Sequence, residues 1–231
     1  MRAAVIVFPG TNRERDIAEA ISDVSGRPSI MVWHGDTQVP KSDLIVLPGG
    51  FSYGDYLRTG AMAAHSPIMR DVIAKAKAGV PVLGVCNGFQ TLCEAGLLPG
   101  VLLRNSSLKF ICKDVHLRVD NASTMFTNRY RQGDVAQVIV AHGDGNYFAD
   151  TETLDKLEAE NRVVFRYASA TGEVNAASNL NGSQRNIAGI IDGTGRILGM
   201  MPHPENACEA ALGSTDGRRM FESIASSLMA A

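Results

Sequence analysis

Cys86 lies between Gly84 and Gly88, with an apolar strand pattern (Val82, Leu83, Val85) before it and a helical pattern directly after it. This is the spacing of a nucleophile elbow, G-x-nucleophile-x-G, with sulfur at the reactive position. A sharp strand-to-helix turn crowds both flanks of the nucleophile, so a side chain there would clash or force strain. The turn also points the thiol at a helix N-terminus, whose roughly half-unit positive charge favours the nucleophilic thiolate. The spacing therefore points to covalent catalysis at sulfur. The plainer alternative is a buried structural cysteine at a tight turn.

A thiolate nucleophile needs a base, and the base needs a group that orients it. Five histidines are available. His34 and His65 sit in ordinary loop or helix contexts, and His116 falls in a strand-like run. His142, in the glycine-rich AHGDGNY, can line a pocket. His203 differs from all of them. It follows an apolar strand pattern, stands between Pro202 and Pro204, and has Glu205 two residues on. Flanking prolines restrict the backbone, and a nearby carboxylate fixes the imidazole tautomer. The expected catalytic set is Cys86 as nucleophile, His203 as proton carrier and Glu205 as orienter. The turn Pro48-Gly49-Gly50-Phe51 can expose backbone N–H groups. With the Asn87 N–H, that of Gly50 would form an oxyanion hole. The reaction class is acyl transfer through a thioester.

The elements that must position these residues alternate along the first half of the chain. Strands are expected at Ala3–Phe8, Ser29–Trp33, Leu44–Leu47 and 82–85. An amphipathic helix carries Ile17, Ala20, Ile21 and Val24, a helix spans 61–78, and another follows the elbow. Beyond Pro99-Gly100 the pattern becomes strand-rich with little helix: Val101–Leu103, Val115–Val119, Gln137–Val140 and Val163–Tyr167. A hairpin of Ile187–Ile191 and Ile197–Met201 turns at Asp192-Gly193-Thr194-Gly195, and a closing helix runs from Asp216 to Met229, capped by Ser214 or Thr215. This predicts an α/β fold in three layers. Its central sheet is mostly parallel, with helices on both faces and an antiparallel extension. Ligands of such sheets bind past the carboxyl ends of the strands. No linker or repeat interrupts the chain, so one domain over 1–231 is expected.

Bulk composition narrows the role. The chain has 231 residues, 45% hydrophobic and 20% charged, with a net charge of −2. This is an ordinary globular balance without the basic footprint of a nucleic-acid binder. No apolar run is long enough to span a membrane, and the N-terminal MRAAVIVFPG reads as a first strand and not as a targeting segment. Cys86, Cys93, Cys112 and Cys208 fit neither a zinc site nor a disulfide framework, so reduced thiols in the cytoplasm are expected. There is no metal-ligand spacing and no G-x-x-x-x-G-K-[ST] loop, so no metal site is expected and ATP chemistry belongs elsewhere.

The elbow, the Pro-Gly-Gly turn and the Pro-His-Pro-Glu segment together resemble the class I, triad-type glutamine amidotransferases. FPGTN (Phe8–Asn12), GGFSYGDYLRTGA (Gly49–Ala61), RNSSLKF (Arg104–Phe110), NGSQRNIAGI (Asn181–Ile190) and GRILGMMPHPE (Gly195–Glu205) are similar to the glutaminase subunits of phosphoribosylformylglycinamidine synthases. The resemblance spans nearly the whole chain. It implies a flavodoxin-like amidotransferase fold and hydrolysis of L-glutamine at Cys86, His203 and Glu205. It also implies a glutamine pocket shaped by Gly49, Gly50, Phe51, Asn87, Gln90, Asn105, Ser106, Ser107 and Leu108. The ammonia would pass to a large ATP-dependent synthetase subunit that carries ATP and magnesium, while a small third subunit helps assembly. No cofactor is implied in this chain. Three residues depart from the family pattern: Asn206 where arginine is usual, Asp144 in place of glutamate, and Leu180 in place of proline. A stand-alone cysteine hydrolase on the same fold, a peptidase or deglycase, is the alternative from the residues alone.

Overall fold

The computed structural model describes residues 1–229. Its strands are β1 (Ala3–Val7), β2 (Ile30–Trp33), β3 (Leu44–Leu47), β4 (Val82–Val85), β5 (Val101–Leu103), β6 (Ile111–Val119), β7 (Val135–His142), β8 (Asn146–Phe148), β9 (Val163–Ala168), β10 (Ile187–Ile191) and β11 (Ile197–Met200). The helices are α1 (Glu14–Ser25), α2 (Ala61–Ala64), α3 (Pro67–Lys77), α4 (Asn87–Glu94), α5 (Thr151–Ala159) and α6 (Arg218–Met229).

Nine strands form one sheet in the order β2-β1-β3-β4-β11-β10-β9-β6-β7, while β5 and β8 pair separately. The five strands from β2 to β11 are parallel to their neighbours. From β11 onward every pairing is antiparallel. The order 2-1-3-4 is that of a flavodoxin-like sheet, and the antiparallel arm is the expected extension. Burial follows this division. Every residue of β3 and β4 is buried, as strands covered on both faces require. β7 instead alternates buried and half-buried residues, the mark of a strand with one face on the core.

The helices divide between α1, packed on β1 and α6, and α4, packed on β3, β4 and β11. α1 buries Ile17, Ala18, Ala20 and Ile21 and ends at Gly26 in the left-handed conformation at φ 67°. The expected helix over 61–78 is two helices. Ser66 is extended at ψ 148°, and Pro67 opens α3 as its first residue. A residue before proline is driven out of the α region, so the break falls there. The strand-rich half also contains α5, which the hydrophobic pattern misses because only Leu154 and Leu157 are buried. Asp150 caps α5, its carboxylate accepting from Thr153 N at 2.7 Å. The closing helix starts two residues later than expected. Ser214 does not cap it: its hydroxyl donates to Gln137 O at 2.9 Å and accepts from Asp216 N at 3.1 Å.

This topology has one consequence for chemistry. β1, β3, β4 and β11 run in the same direction, so the four segments that leave their carboxyl ends emerge along one edge of the sheet. Those segments carry Pro9–Asn12, Pro48–Phe51, Cys86 and His203–Glu205.

Candidate active site at the strand ends

Cys86 occupies the cap position of α4 with φ 52° and ψ −108°, a strained backbone for a residue with a side chain. The surroundings enforce this turn. Cys86 N donates to Met200 O at 2.7 Å, tying the elbow to the end of β11. A Cβ on Gly88 would lie 1.8 Å from Leu47 O, and one on Gly84 would lie 2.5 Å from the Leu92 side chain. Both flanking glycines are therefore held by contact as well as by turn geometry. The thiol is 5% exposed, and its Sγ lies 3.8 Å from Ala141 O at the end of β7.

His203 comes to the same place from β11. Its N–H donates to Ile139 O at 2.8 Å in an isolated bridge to β7, which fixes the backbone beneath the ring. Nδ1 and Glu205 Oε1 are 2.7 Å apart, with both side chains fully enclosed. The ring rests on the backbone of Gly49, where an added Cβ would stand 2.8 Å from Cε1. Burial alone would push this imidazole down. The Glu205 carboxylate and the Cys86 sulfur outweigh that cost and raise it to about 10. Cys86 is close enough to raise the ring, while Nε2 itself is buried and makes no hydrogen bond. The arrangement is a sulfur nucleophile facing an imidazolium that a buried carboxylate orients.

Three of the anticipated pocket residues meet around the sulfur. Gly50, Phe51, Cys86 and Gln90 line a cavity of about 250 Å³ together with Asp55, Thr59, Arg104, Phe110 and the 141–144 segment. Phe51 N donates to Gly10 O at 2.9 Å and Asn12 N to Gly49 O at 3.3 Å, bonds that do not use the Gly50 N–H. Asn87 is the first residue of α4, so its N–H has no partner within the helix. Its side chain faces away from the substrate space. It accepts from Ser52 N and Oγ and donates to Gln90 Oε1 at 2.9 Å, clamping the glycine loop to α4. Gly49 supports the His203 ring and does not border the cavity. A wider cleft of about 390 Å³ lies at Arg118, Asp120, Glu158 and Arg166, but its charges already pair with one another and it holds no nucleophile.

The Asn105–Leu108 segment is placed differently from the expectation. Asn105 is buried, while Ser106, Ser107 and Leu108 are exposed and lie outside the cavity wall. The reason is local: Asn105 Nδ2 donates to Lys109 O at 2.8 Å and Leu108 N to Asn105 O at 2.8 Å, closing a turn that points outward. The flanking Arg104 and Phe110 reach the cavity instead.

Asn105 also fixes His142. Its Nδ2 is committed to two carbonyls, of Lys109 and His142, so its Oδ1 faces His142 Nδ1 at 3.1 Å and must accept a hydrogen bond from the Nδ1–H. Burial and the nearby His203 charge hold His142 down at about 4, and its Nε2 is a buried lone pair without a partner. Asp55 and Arg104 were not legible as cavity residues from spacing, although Asp55 stands inside the GGFSYGDYLRTGA string, whereas His142 lines the cavity as its glycine-rich loop suggested. Of the departures from the family pattern, Asp144 lines the cavity and Asn206 Nδ2 donates to Asp16 at 3.1 Å on α1. Leu180 packs at the rim of the core.

Residues 1–224 match the family model described as a CobB/CobQ-like glutamine amidotransferase domain. The chain is 58% identical over 229 residues to phosphoribosylformylglycinamidine synthase subunit PurQ of Nitrobacter hamburgensis, covering 99% of this chain and 98% of that one. The chain belongs to the PurQ family of glutamine amidotransferases. The PurQ protein of Rhodospirillum rubrum is 60% identical, with 99% and 100% of the two chains covered. Among solved structures, PurLQS from Thermotoga maritima superposes with a TM-score of 0.87 at 42% identity over 98% of each chain. Another glutamine amidotransferase from Thermotoga maritima shares the PurQ-type fold at a TM-score of 0.55 and 17% identity, with 99% of this chain and 94% of that one covered. Among the described residues no helix is long and apolar enough to cross a membrane, and no cluster of three His, Cys, Asp or Glu is set to hold a metal. All four cysteines are free.

Proposed function

We propose that this chain is the glutaminase subunit of a phosphoribosylformylglycinamidine synthase. It hydrolyses L-glutamine to glutamate and ammonia. It passes the ammonia to an ATP-dependent synthetase subunit that converts formylglycinamide ribonucleotide to formylglycinamidine ribonucleotide in purine synthesis. The observation that carries this reading is the buried His203–Glu205 pair, 2.7 Å apart, set against the elbow sulfur, which itself lines a cavity. The near full-length likeness to PurQ proteins supports it.

The chemistry follows from the geometry. The Cys86 thiolate attacks the carboxamide carbon, forming a C–S bond, and the carbonyl oxygen becomes an oxyanion held by the Gly50 and Asn87 N–H groups. The His203 imidazolium gives its proton to the amide nitrogen, the C–N bond breaks, and ammonia leaves behind a γ-glutamyl thioester. Neutral His203 then takes a proton from water as the water attacks the thioester, and glutamate departs with the sulfur restored. Glu205 keeps the ring in the tautomer that presents Nε2 to sulfur. Gln90 closes the pocket from α4, donating to Asp144 O at 2.7 Å.

Two partners complete the assembly in this reading: the large synthetase subunit, which holds ATP and magnesium, and a small third subunit. This chain needs no cofactor. Its free thiols suit the reducing cytoplasm. The test is Cys86→Ala in the assembled enzyme. Glutamine-dependent synthesis should vanish while synthesis from added ammonium persists. Equal loss of both would count against the assignment. Full glutaminase turnover by the isolated chain, unchanged by the synthetase subunit, would favour a stand-alone hydrolase.

A further inference from the structure

Glu205 orients His203, yet little holds its own carboxylate. Oε1 meets His203 Nδ1 at 2.7 Å, while Oε2 is buried and has no partner among the described residues. A carboxylate with a single hydrogen bond takes its position from the backbone that carries it, so that backbone must be fixed by its neighbours. Here it is the short 3₁₀ turn Pro204–Ala207, packed on α1, α6 and β7. On the α6 side Gly217 N donates to Ala207 O at 2.8 Å, and a Cβ on Gly217 would stand 2.1 Å from Pro204 O.

On the α1 side the turn is held by a side chain. Asn206, directly after Glu205, donates from Nδ2 to Asp16 Oδ2 at 3.1 Å, while its Oδ1 is buried without a partner. The same Asp16 oxygen accepts from Arg13 Nη1 at 3.0 Å. Arg13 in turn reaches the support beneath the imidazole. Its N–H donates to Gly49 O at 3.2 Å, and a Cβ on Gly49 would lie 3.2 Å from Arg13 Cγ and 2.8 Å from His203 Cε1. These contacts close a circuit from Gly49 through Arg13, Asp16, Asn206, Glu205 and His203 back to Gly49. Asp16 is the member that joins its two halves, and it stands outside the cavity wall.

We propose that Asp16 is a positioning residue for the reaction: it pins the turn that carries Glu205 to the helix whose first residues hold Gly49. The assignment rests on the glutaminase reading and deepens it by naming what keeps the proton carrier aligned. Without Asp16, the Asn206 amide and the Arg13 guanidinium lose their common acceptor. The turn is then held from α6 alone, and Glu205 no longer keeps Nε2 aimed at the sulfur. The step that suffers is proton transfer from His203 to the departing amide nitrogen, while the pocket that receives the substrate is untouched. The Arg13–Asp16 pair is partly exposed, so its loss costs the fold little.

The test is a cycle of variants in the assembled enzyme. Asp16→Ala should lower the glutamine-dependent kcat on the order of tenfold with KM little changed. Synthesis from added ammonium should stay at the wild-type rate, because it needs the assembly but not the sulfur and imidazole. Asn206→Ala should give a loss of similar size and the double variant no further loss, since both break the same link. Asp16→Asn keeps an oxygen that accepts from Asn206 and should restore most of kcat. An unchanged kcat in Asp16→Ala overturns the proposal, as does a rise in KM alone or a pair of losses that multiply in the double variant. A matching fall in ammonium-dependent synthesis also overturns it, by making Asp16 a residue of the fold and not of the site. Wild-type enzyme without glutaminase activity would defeat the functional reading itself, and the proposal with it.

Discussion

His203 and His142 are both buried beside the same sulfur, yet their surroundings drive them in opposite directions. His203 has a carboxylate at 2.7 Å and is pushed up to about 10. His142 has only a carboxamide oxygen at 3.1 Å and is pushed down to about 4. Desolvation is the largest influence on both and lowers both, so the partner decides the outcome. A full negative charge offsets the cost of an imidazolium in the interior, while a neutral amide oxygen orients the ring without charging it. One site thus holds a proton carrier and a fixed lone pair, built from the same residue type.

The largest test of this contrast removes its cause. His203→Asn should cut glutaminase turnover in the assembled enzyme by about 10³-fold or more, and Glu205→Ala by less, because an orienter costs less than the proton carrier it serves. A larger loss from Glu205→Ala than from His203→Asn in measured kcat would break the assignment of roles. A smaller effect concerns stability in acid. His142 is held below its ordinary 6.5, so the unfolded chain takes up a proton first. The stability linked to it is complete above pH 6.5 and is lost as pH falls toward about 4, by roughly 3 kcal/mol in all. His142→Asn keeps a donor for Asn105 but cannot titrate. Chemical denaturation should show its deficit relative to wild type shrinking between pH 7 and pH 4, and a constant deficit would mean that the ring protonates freely in the folded state.

How far the amino-acid order revealed these features depends on how local their causes are. The elbow was legible because its glycines, sulfur and flanking patterns lie close together in the chain, and each is required by the turn itself. Glu205 beside His203 was legible for the same reason, since only a proline separates them. The sheet was legible where strands were apolar throughout, as at β3 and β4. α5 was not, because two buried leucines give no period. Nor could spacing separate α2 from α3, which the extended Ser66 before Pro67 divides. The roles of Asn105 and Asp55 depend on partners 37 and 32 positions away, His142 and Asn87, and no local pattern records such a meeting. Ser106 to Leu108 were expected in the pocket because the string around them is distinctive. The turn closed by Asn105 sends them to the surface instead.

β7 is the last strand of the sheet, yet Ile139 holds the His203 backbone and Ala141 lies next to the sulfur. Outer strands are the first part of a sheet to fray. Heating would accordingly silence this catalyst while most of its framework is still intact, because the machinery leans on the seam that opens earliest.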